Sequence, residues 1–433
     1  MKKEQEFAKD LMDFIDKSPS SFHVVKSVKE VLDKEGFKEI KFQDKWELEK
    51  EGKYYVIKNN SAIIGFIVGK GEVEQDGFKL IGAHTDAPTF KIKPNPEMTV
   101  GDKYLKLNTE VYGGPILNTW FDRPLSVAGR VTVKTENPLR PEELLIDMEK
   151  PIMVIPNLAI HMNRNVNEGV KVNPQTDTLP LLSMVNKGFE KEDFLLSLIA
   201  ENLDVKKDDI LDFELFLYGV EKGALVGLNE EFISIGRLDD LAMVHAGLKG
   251  LIDSQVANAT NVLVCFDNEE VGSTTKQGAA SPMLRTILER ITLAMGKTKE
   301  DYYRALSNSF LISADMAHAL HPNYTGKQDP TNRPVINGGP TIKISAKQSY
   351  TTDSISSAVY EGICKSAGVP VQKFVNRSDE RGGSTIGPIS STQIDISSVD
   401  IGNPILGMHS IRELGGVLDH YYVYKSFQEF YRI

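Results

Sequence analysis

Two adjacent glutamates, Glu269 and Glu270, are the residues whose type and position first suggest chemistry. They follow an apolar run, Asn261 to Phe266, which predicts a buried strand. Neighbouring carboxylates at a strand end repel each other unless a cation or a shared proton holds them. Because adjacent side chains point in different directions, one glutamate can bind a metal while the other acts as general base toward water. A solvated acidic loop is the alternative explanation.

Other histidines and carboxylates stand at similar places, after predicted strands or before predicted helices. In α/β proteins, ligands bind at the carboxyl ends of the strands of the sheet. Side chains located at those ends are therefore expected to converge on one site. A set of imidazoles and carboxylates suits zinc, manganese or cobalt, and a two-metal site needs one bridging acid. Asp86, two residues after His84, is placed to orient that imidazole. The candidate site residues are His84, Asp239, Glu269, Glu270, Asp315 and His409.

The elements that must position these residues fall into three segments. Predicted strands and helices alternate in residues 1–92 and 231–433, which favours an α/β fold with a mostly parallel sheet and helices on both faces. Residues 93–230 lack this alternation and contain short predicted strands with frequent proline and glycine. We therefore predict a catalytic domain in two parts, interrupted by an inserted, mainly β domain that covers a cleft or makes subunit contacts.

Two helices in this scheme have specific predicted limits. An amphipathic helix is expected at about 192–203 inside the inserted domain. At the C-terminal end, Ser410 followed by Glu413 matches a capping box, which places His409 just ahead of the last helix. An N-cap role for Asp239 or Asp240 is also the simplest structural explanation of this pair, because aspartate is common at that position.

Composition narrows the function classes. The chain has 433 residues, 41% of them hydrophobic and 25% charged, as in ordinary globular proteins. Its net charge of -10 argues against nucleic acid or an anionic membrane as partner. No apolar run approaches the ~20 residues of a membrane span. The N-terminus predicts an amphipathic helix rather than a signal peptide, and the two cysteines form no disulfide framework, so we predict a cytoplasmic protein.

Longer motifs resemble those of the aspartyl aminopeptidase family, metallopeptidase family 18, which contains dizinc peptidases and includes yeast-type vacuolar aminopeptidase I. The resemblance covers nearly the whole chain. It implies a zinc-exopeptidase-like fold, dimerisation through the inserted domain, and a large homo-oligomer, typically a tetrahedral dodecamer. The motifs that carry it are HTDAP, TWFDRPLSVAGRV, PNLAIHMNRNVNEG, GRLDD, CFDNEEVGS, SADMAHALHPNY and MHSIRE.

The resemblance also implies a role for each candidate. Glu269 corresponds to the general base and Asp86 to the residue that orients a ligand. The implied ligands are His84 and Asp315 for one metal, Glu270 and His409 for the other, with Asp239 bridging the two. The implied substrate contacts are His161, which would reach a neighbouring subunit's site, together with His318 and Lys343. On local sequence alone, His161 is a polar loop residue and Lys343 a surface lysine on an edge strand.

These assignments predict a two-metal aminopeptidase that releases N-terminal residues from peptides, with zinc as the metal. A lysine at position 343 can pair with an acidic side chain, which predicts a preference for aspartate or glutamate. Two enzyme alternatives remain, namely a broad or leucine-type aminopeptidase of the same family and a dimetal amidase or deacylase. A metal-bound assembly or carrier protein without catalysis is the alternative from another class.

Overall fold

The computed structural model describes residues 3–169, 171–185, 193–380 and 382–433. The chain divides into two compact units. The first contains Met1–Asp86, Gly223–Met408 and Glu413–Ile433, and the second contains Ala87–Lys222 and His409–Arg412. The boundaries between the units lie a few residues before the predicted domain boundaries, which are 92/93 and 230/231. The strand that begins at Thr89 belongs to the sheet of the second unit. The strand that begins at Ala224 belongs to a sheet of the first unit.

Ten α-helices lie in the described part of the chain. Two of them, α7 and α8 below, begin with complete capping boxes formed by Thr298 and Asp353. None of these helices is both long and apolar enough to cross a membrane. The helices are α1 (Lys3–Asp16), α2 (Ser21–Lys34), α3 (Val73–Asp76), α4 (Phe194–Leu203), α5 (Leu238–Ile252), α6 (Met283–Ala294), α7 (Lys299–Ser307), α8 (Ser354–Ala367), α9 (Ile386–Ser391) and α10 (Val417–Arg432).

The described residues also form β-strands, whose lengths range from 2 to 12 residues. They are β1 (Lys38–Glu39), β2 (Lys53–Lys58), β3 (Ala62–Ile67), β4 (Phe78–His84), β5 (Thr89–Val100), β6 (Tyr104–Tyr112), β7 (Leu125–Val133), β8 (Glu142–Asp147), β9 (Leu181–Met184), β10 (Ile210–Gly219), β11 (Ala224–Val226), β12 (Phe232–Ile235), β13 (Thr260–Phe266), β14 (Phe310–Ala314), β15 (Ala317–His318), β16 (Thr341–Ile344), β17 (Gln372–Val375), β18 (Ser397–Gly402), β19 (Pro404–Ile405) and β20 (Glu413–Gly416). The short strands β15 and β19 pair with each other, as do β11, β12 and β20 in that order.

A large mixed sheet organises the first unit. Among the described residues it has nine strands in the order β1-β2-β3-β13-β4-β14-β18-β16-β17. The four strands from β13 to β18 run parallel to one another. The β1–β2 and β16–β17 contacts are also parallel, whereas β2–β3, β3–β13 and β18–β16 are antiparallel. The predicted mostly parallel α/β sheet is therefore confirmed.

Helices cover both faces of this sheet because successive strand residues point in opposite directions. On β13, Leu263 and Cys265 enter a core that contains residues of α1, α2, α5, α8 and α10. Val262 and Val264 of the same strand enter a second core with α6, α7 and α9. Because β13 is buried on both faces, neither face is exposed to solvent, and this explains the continuous apolar run in its sequence.

The second unit is built on an antiparallel sheet in the order β8-β7-β10-β5-β6-β9. Helix α4 contributes Leu195 and Ile199 to its core, where they join strand residues such as Phe90 and Leu215. The described residues of the second unit are therefore mainly in β-strands. The helix predicted at 192–203 is observed from Phe194, and position 192 lies outside the described residues.

The C-terminal helix begins later than the capping-box pattern predicted. Glu413 opens β20, which pairs with β12, and α10 starts only at Val417. The capping-box interpretation of Ser410 and Glu413 is therefore wrong. The Glu413 carboxylate instead accepts a hydrogen bond from the backbone N–H of Asp239 at 3.1 Å. A tertiary partner distant in sequence thus outweighed the local pattern.

Candidate metal centre

The carboxyl edge of the large sheet brings the first candidate residues together. His84 is the last residue of β4, which lies between the parallel strands β13 and β14. Its register partner is Phe266, the last residue of β13. Glu269 and Glu270 follow in a short 3₁₀ turn after β13, and Asp315 comes directly after β14. Parallel strands end at the same edge of a sheet, so these side chains converge.

Carboxylates surround the buried imidazole of His84. Its Nε2 lies 3.3 Å from Oδ1 of Asp239 and 4.0 Å from Oδ1 of Asp315. Oε2 of Glu269 is also 4.0 Å away. Two overlapping sets of ligand atoms each lie within 4.8 Å of one another: those of His84, Asp239, Asp240 and Asp315, and those of His84, Glu269 and Glu270.

Asp86 connects the histidine to the glutamate turn. The Nδ1 atom of His84 lies 3.0 Å from the backbone carbonyl of Asp86 and 3.4 Å from its carboxylate. The two carboxylate oxygens accept the backbone N–H groups of Glu269 and Glu270, each at 3.1 Å. With Nδ1 directed at Asp86, Nε2 is the ring nitrogen that faces the acids.

The beginning of α5 supplies two further carboxylates. Asp239 and Asp240 have non-helical backbone angles and are joined by a cis peptide bond. Regular helical backbone angles in α5 therefore begin only after Asp240. Oδ2 of Asp240 accepts the backbone N–H of His84 at 3.0 Å, which ties the start of α5 to the end of β4.

Burial and mutual repulsion perturb the acids of this cluster. Burial is the main reason why the pKa of Glu269 rises to about 8, although His84 acts in the opposite direction. Burial likewise raises the pKa of Glu270 and Asp240 well above the usual carboxyl range, and it raises the pKa of Asp315. Burial alone would lower the pKa of His84, but the surrounding acids, led by Asp240, raise it well above its usual value. The acids thus outnumber the cations available to neutralise them.

Lys343 is the ammonium group of this cluster. It lies on β16, inside the sheet between β18 and β17, and is 3% exposed, so the edge-strand surface interpretation is wrong. Its Nζ is 3.4 Å from Oδ2 of Asp315 and 5.5 Å from the ring centroid of Tyr350. Burial would lower the pKa of Lys343, but Asp315, Tyr350 and Asp400 raise it to about 12. The lysine is therefore a fixed positive charge.

The donor set fits a divalent transition metal. An imidazole among several carboxylates is the mixed nitrogen and oxygen environment in which zinc binds. Oδ1 of Asp240 is buried and has no hydrogen-bond partner among the described residues, and a cation nearby would compensate such an atom. The raised carboxyl pKa values have the same meaning, since a cation would favour the ionised forms.

The three other predicted histidines are divided between the two units. His409 belongs to the second unit, with φ of 68° and its Nδ1 3.0 Å from the carbonyl oxygen of Gly114. His161 is exposed in a short 3₁₀ turn of the same unit. His318 belongs to the first unit, where it is exposed on β15 with its ring edge against Phe374. The residues that the first unit brings together are His84, Asp86, Asp239, Glu269, Glu270, Asp315 and Lys343.

Sequence reasoning missed three buried acids in this region. Asp240 is the second acid of a doubled pair at a strand-to-helix turn, and that doubling was the available signal. Glu413 was assigned to a helix cap, although it supports Asp239. Asp400 is fully buried within β18, and its signal was a single acid between Val399 and Ile401 in an apolar strand.

Comparisons with known proteins agree over the whole chain. The family model described as "Aminopeptidase I zinc metalloprotease (M18)" matches residues 14–431. A Clostridium novyi protein named probable M18 family aminopeptidase 2 is 64% identical over 433 residues, covering 100% of both chains. The structure of the Ape4 and Nbr1 complex is similar with a TM-score of 0.94 and 36% identity, over 99% of this chain and 86% of that chain. The S. cerevisiae mApe1 dodecamer is similar with a TM-score of 0.85 and 30% identity, over 98% of this chain and 96% of that chain.

Proposed function

This chain belongs to the M18 family of zinc metalloproteases, and we propose that it releases acidic N-terminal residues from peptides with water activated by two metal ions. As a member of that family it is an aminopeptidase, a hydrolase of the exopeptidase type. The observation that carries the finer proposal is the buried acidic cluster around His84 with a buried ammonium group, Lys343, at its border.

The ligand assignment is supported by donor chemistry and proximity. The ligands that we propose are His84 and Asp315 for one ion, Glu270 and His409 for the other, and Asp239 as the bridge. The mutual distances in the first unit support His84, Asp239, Asp315 and Glu270. The assignment of His409 rests on the resemblance of its MHSIRE motif. Zinc is the proposed metal because the family model describes a zinc metalloprotease.

The residues around the cluster suit hydrolysis of a peptide bond. Two bound divalent ions would lower the pKa of a shared water and polarise the scissile carbonyl. Glu269 would accept the water proton and pass it to the leaving amine. The backbone N–H of Glu269 donates a hydrogen bond to the Asp86 carboxylate, which holds the residue in place. Without bound metal the pKa of Glu269 is raised to about 8, so its carboxyl group readily accepts a proton. Bound cations would act in the opposite direction and favour the carboxylate needed for the first step.

Substrate preference is proposed to come from Lys343. A permanently charged ammonium in a buried position interacts strongly with the carboxylate of an aspartyl or glutamyl side chain. A neutral leucyl side chain would leave this charge without a substrate partner. His318 and His161 are proposed as further substrate contacts, with His161 as hydrogen-bond donor to the developing oxyanion.

We also propose a large homo-oligomer, a dodecamer, with dimer contacts through the second unit. The support is the similarity to the S. cerevisiae mApe1 dodecamer, which extends over 98% of this chain and so includes the second unit. A cytoplasmic location is proposed because both cysteines are free and buried, which is compatible with a reducing compartment.

Hydrolysis of N-terminal aspartyl, glutamyl, leucyl and lysyl chromogenic amides, with and without a chelator, tests the proposal. Chelator-sensitive cleavage that favours aspartyl or glutamyl amides is the expected result. Cleavage that favours leucyl amide would keep the aminopeptidase and remove the acidic pocket. A metal-loaded protein that cleaves none of the amides would point to a deacylase or to a non-catalytic assembly protein.

A further inference from the structure

Asp400 is a buried carboxylate that the proposed mechanism does not use. It is 0% exposed, in the middle of β18. Its strand neighbours Val399 and Ile401 pack into the core on one face of the sheet, so the Asp400 side chain points to the other face. Ser313 is its register partner on β14.

On the other side of β18 lies β16. Ile401 pairs with Ile342 in the antiparallel contact of these two strands, so Asp400 and Lys343 come next along their strands. The Ile342 side chain packs into the same core as Val399 and Ile401. By alternation, Lys343 shares the face of Asp400. The carboxylate therefore stands between the strand that leads to Asp315 and the strand that carries Lys343.

Four hydrogen bonds converge on the Asp400 carboxylate. Oδ1 accepts the hydroxyl groups of Ser313 and Thr385, each at 2.6 Å. Oδ2 accepts the backbone N–H of Thr351 at 2.6 Å and its hydroxyl at 3.1 Å. A carboxylate has about four lone-pair positions, so all of them are used. An amide in its place would have one oxygen and could not accept all four bonds.

The donors lie on the segments that form the surroundings of Lys343. Ser313 precedes Asp315 by two residues on the same face, and Asp315 is the acid 3.4 Å from the lysine. Thr351 follows Tyr350, whose ring centroid lies 5.5 Å from the lysine nitrogen. Thr385 is the N-cap residue of α9. One carboxylate thus joins β14, the loop before α8 and the start of α9.

Gly387 shows how closely this carboxylate is enclosed. A Cβ atom at Gly387 would lie 2.5 and 2.7 Å from the two carboxylate oxygens, and these are the first atoms that it would meet. The residue lies inside α9, where alanine is otherwise more favourable than glycine. An added methyl group would therefore displace Asp400 while leaving its charge and its hydrogen-bond donors in the chain.

We propose that Asp400 is a positioning residue for substrate selection, which fixes Lys343 against the acidic side chain of the substrate without touching the substrate itself. This inference rests on the proposed function, because it takes Lys343 as the group that recognises that side chain. Lys343 is 3% exposed, so protein contacts rather than water set its position. Loosening those contacts is expected to weaken recognition of acidic substrates while leaving the metal ligands in place.

The decisive experiment compares Thr385→Val with Thr385→Ser in the metal-loaded protein. Valine removes one hydroxyl donor to Asp400 and keeps the size of the side chain, whereas serine keeps the hydroxyl. We expect Thr385→Val to raise KM for aspartyl amide about fivefold, the effect of one lost hydrogen bond. KM for leucyl amide and the metal content should stay at wild-type values, and Thr385→Ser should restore the aspartyl KM. Gly387→Ala should change the same ratio in the same direction.

The outcomes separate this inference from the function on which it rests. A wild-type protein that does not favour acidic amides would remove the acidic pocket and the role of Asp400 together. Alternatively, the wild type favours acidic amides, but Thr385→Val and Gly387→Ala slow hydrolysis of both substrates equally. The acidic pocket would then stand, and Asp400 would have only a structural role. If Thr385→Ser has the same KM for aspartyl amide as Thr385→Val, the hydroxyl group is irrelevant, and the inference is overturned.

Discussion

Two buried histidine clusters in the first unit differ in charge balance, since one has an excess of acids and the other does not. Around His84, several carboxylates share one imidazole and one lysine. Around His245, one carboxylate, that of Asp10, contacts both the imidazole and the ammonium of Lys249, and the neighbouring imidazole belongs to His420. Nearby acids raise the pKa of His84, whereas burial lowers the pKa of His245 and places that of His420 well below its usual value.

The second cluster holds helices α1, α5 and α10 together. Nδ1 of His245 lies 2.9 Å from Nε2 of His420, and Nε2 of His245 lies 3.1 Å from Asp10. The ring of Phe7 stacks on that of His420 with centroids 4.9 Å apart. Its charges balance, so no external cation is needed. Both imidazoles are buried, so burial does not separate the two clusters. The excess of acids around His84 does, and it is the feature that favours a bound cation there.

Metal removal should have the largest effect and should act on the first cluster only. We expect a chelator to abolish hydrolysis of aspartyl amide. It should also lower the free energy of unfolding, by about 4 kcal/mol if the free metal had stood at 1,000 times its Kd. Activity assays and chemical unfolding at constant pH measure both effects. Full activity in protein from which the chelator has removed the metal would contradict this comparison.

The metal-free protein should also show a distinctive pH dependence. The folded pKa of Glu269, about 8, lies above its ordinary value of 4.5, so the neutral form contributes stability at low pH. That contribution is lost as pH rises from 4.5 to 8. The free energy of unfolding of the chelated protein should therefore fall across this range, with a smaller fall in the metal-loaded protein. Equal slopes for the two forms would argue against metal binding at these acids.

Glu269→Gln separates the base from the ligands inside the first cluster. We expect kcat to fall about 10²- to 10⁴-fold, the usual contribution of a general base, with metal content unchanged. Glu270→Gln is the matched variant, since it changes the adjacent residue in the same way, and it should lower metal content. Elemental analysis and steady-state kinetics measure both. Near-normal turnover by Glu269→Gln would remove this residue as the base.

Lys343→Met tests the cation of the acidic cluster. Loss of one charge-assisted bond to the substrate is expected to lower kcat/KM for aspartyl amide about 10- to 100-fold relative to leucyl amide. Lys79→Met is the control, because the Lys79 nitrogen is buried in the same sheet and has no hydrogen-bond partner among the described residues. That variant should leave the substrate ratio unchanged. Equal losses of kcat/KM for aspartyl and leucyl amides in Lys343→Met would contradict the proposal of an acidic pocket.

The cluster around His245 should show the smallest effect. Its contribution to the free energy of unfolding should change with pH in the direction opposite to that of Glu269. His245 and His420 have folded pKa values below the ordinary 6.5, so their neutral forms contribute stability above that pH, and it is lost as pH falls below 6.5. His420→Leu should reduce this dependence by up to about 1.4 kcal/mol per pH unit. Kinetics and metal content should not change. Urea unfolding at pH 7.5 and 5.5 measures the slope, and an unchanged slope in His420→Leu would contradict the assignment.

Local sequence was sufficient for much of the first cluster. His84, Glu269, Glu270 and Asp315 each follow an apolar run, and the run itself reports the strand whose end they occupy. Local sequence failed at Glu413, because that residue pairs with β12 and its carboxylate accepts a hydrogen bond from Asp239, and both partners are distant in sequence. It also gave no reason to choose Asp400, since the donors to its carboxylate come from residues 313, 351 and 385.

The sequence by itself determined most strands of the large sheet and the chemical groups at their ends, because apolar runs and turn residues act locally. Only the tertiary structure decided the strand order. The parallel run of β13, β4, β14 and β18, followed by antiparallel β16, places Lys343 beside Asp315. Pairing between distant strands depends on packing across both cores at once, and no local pattern contains that information.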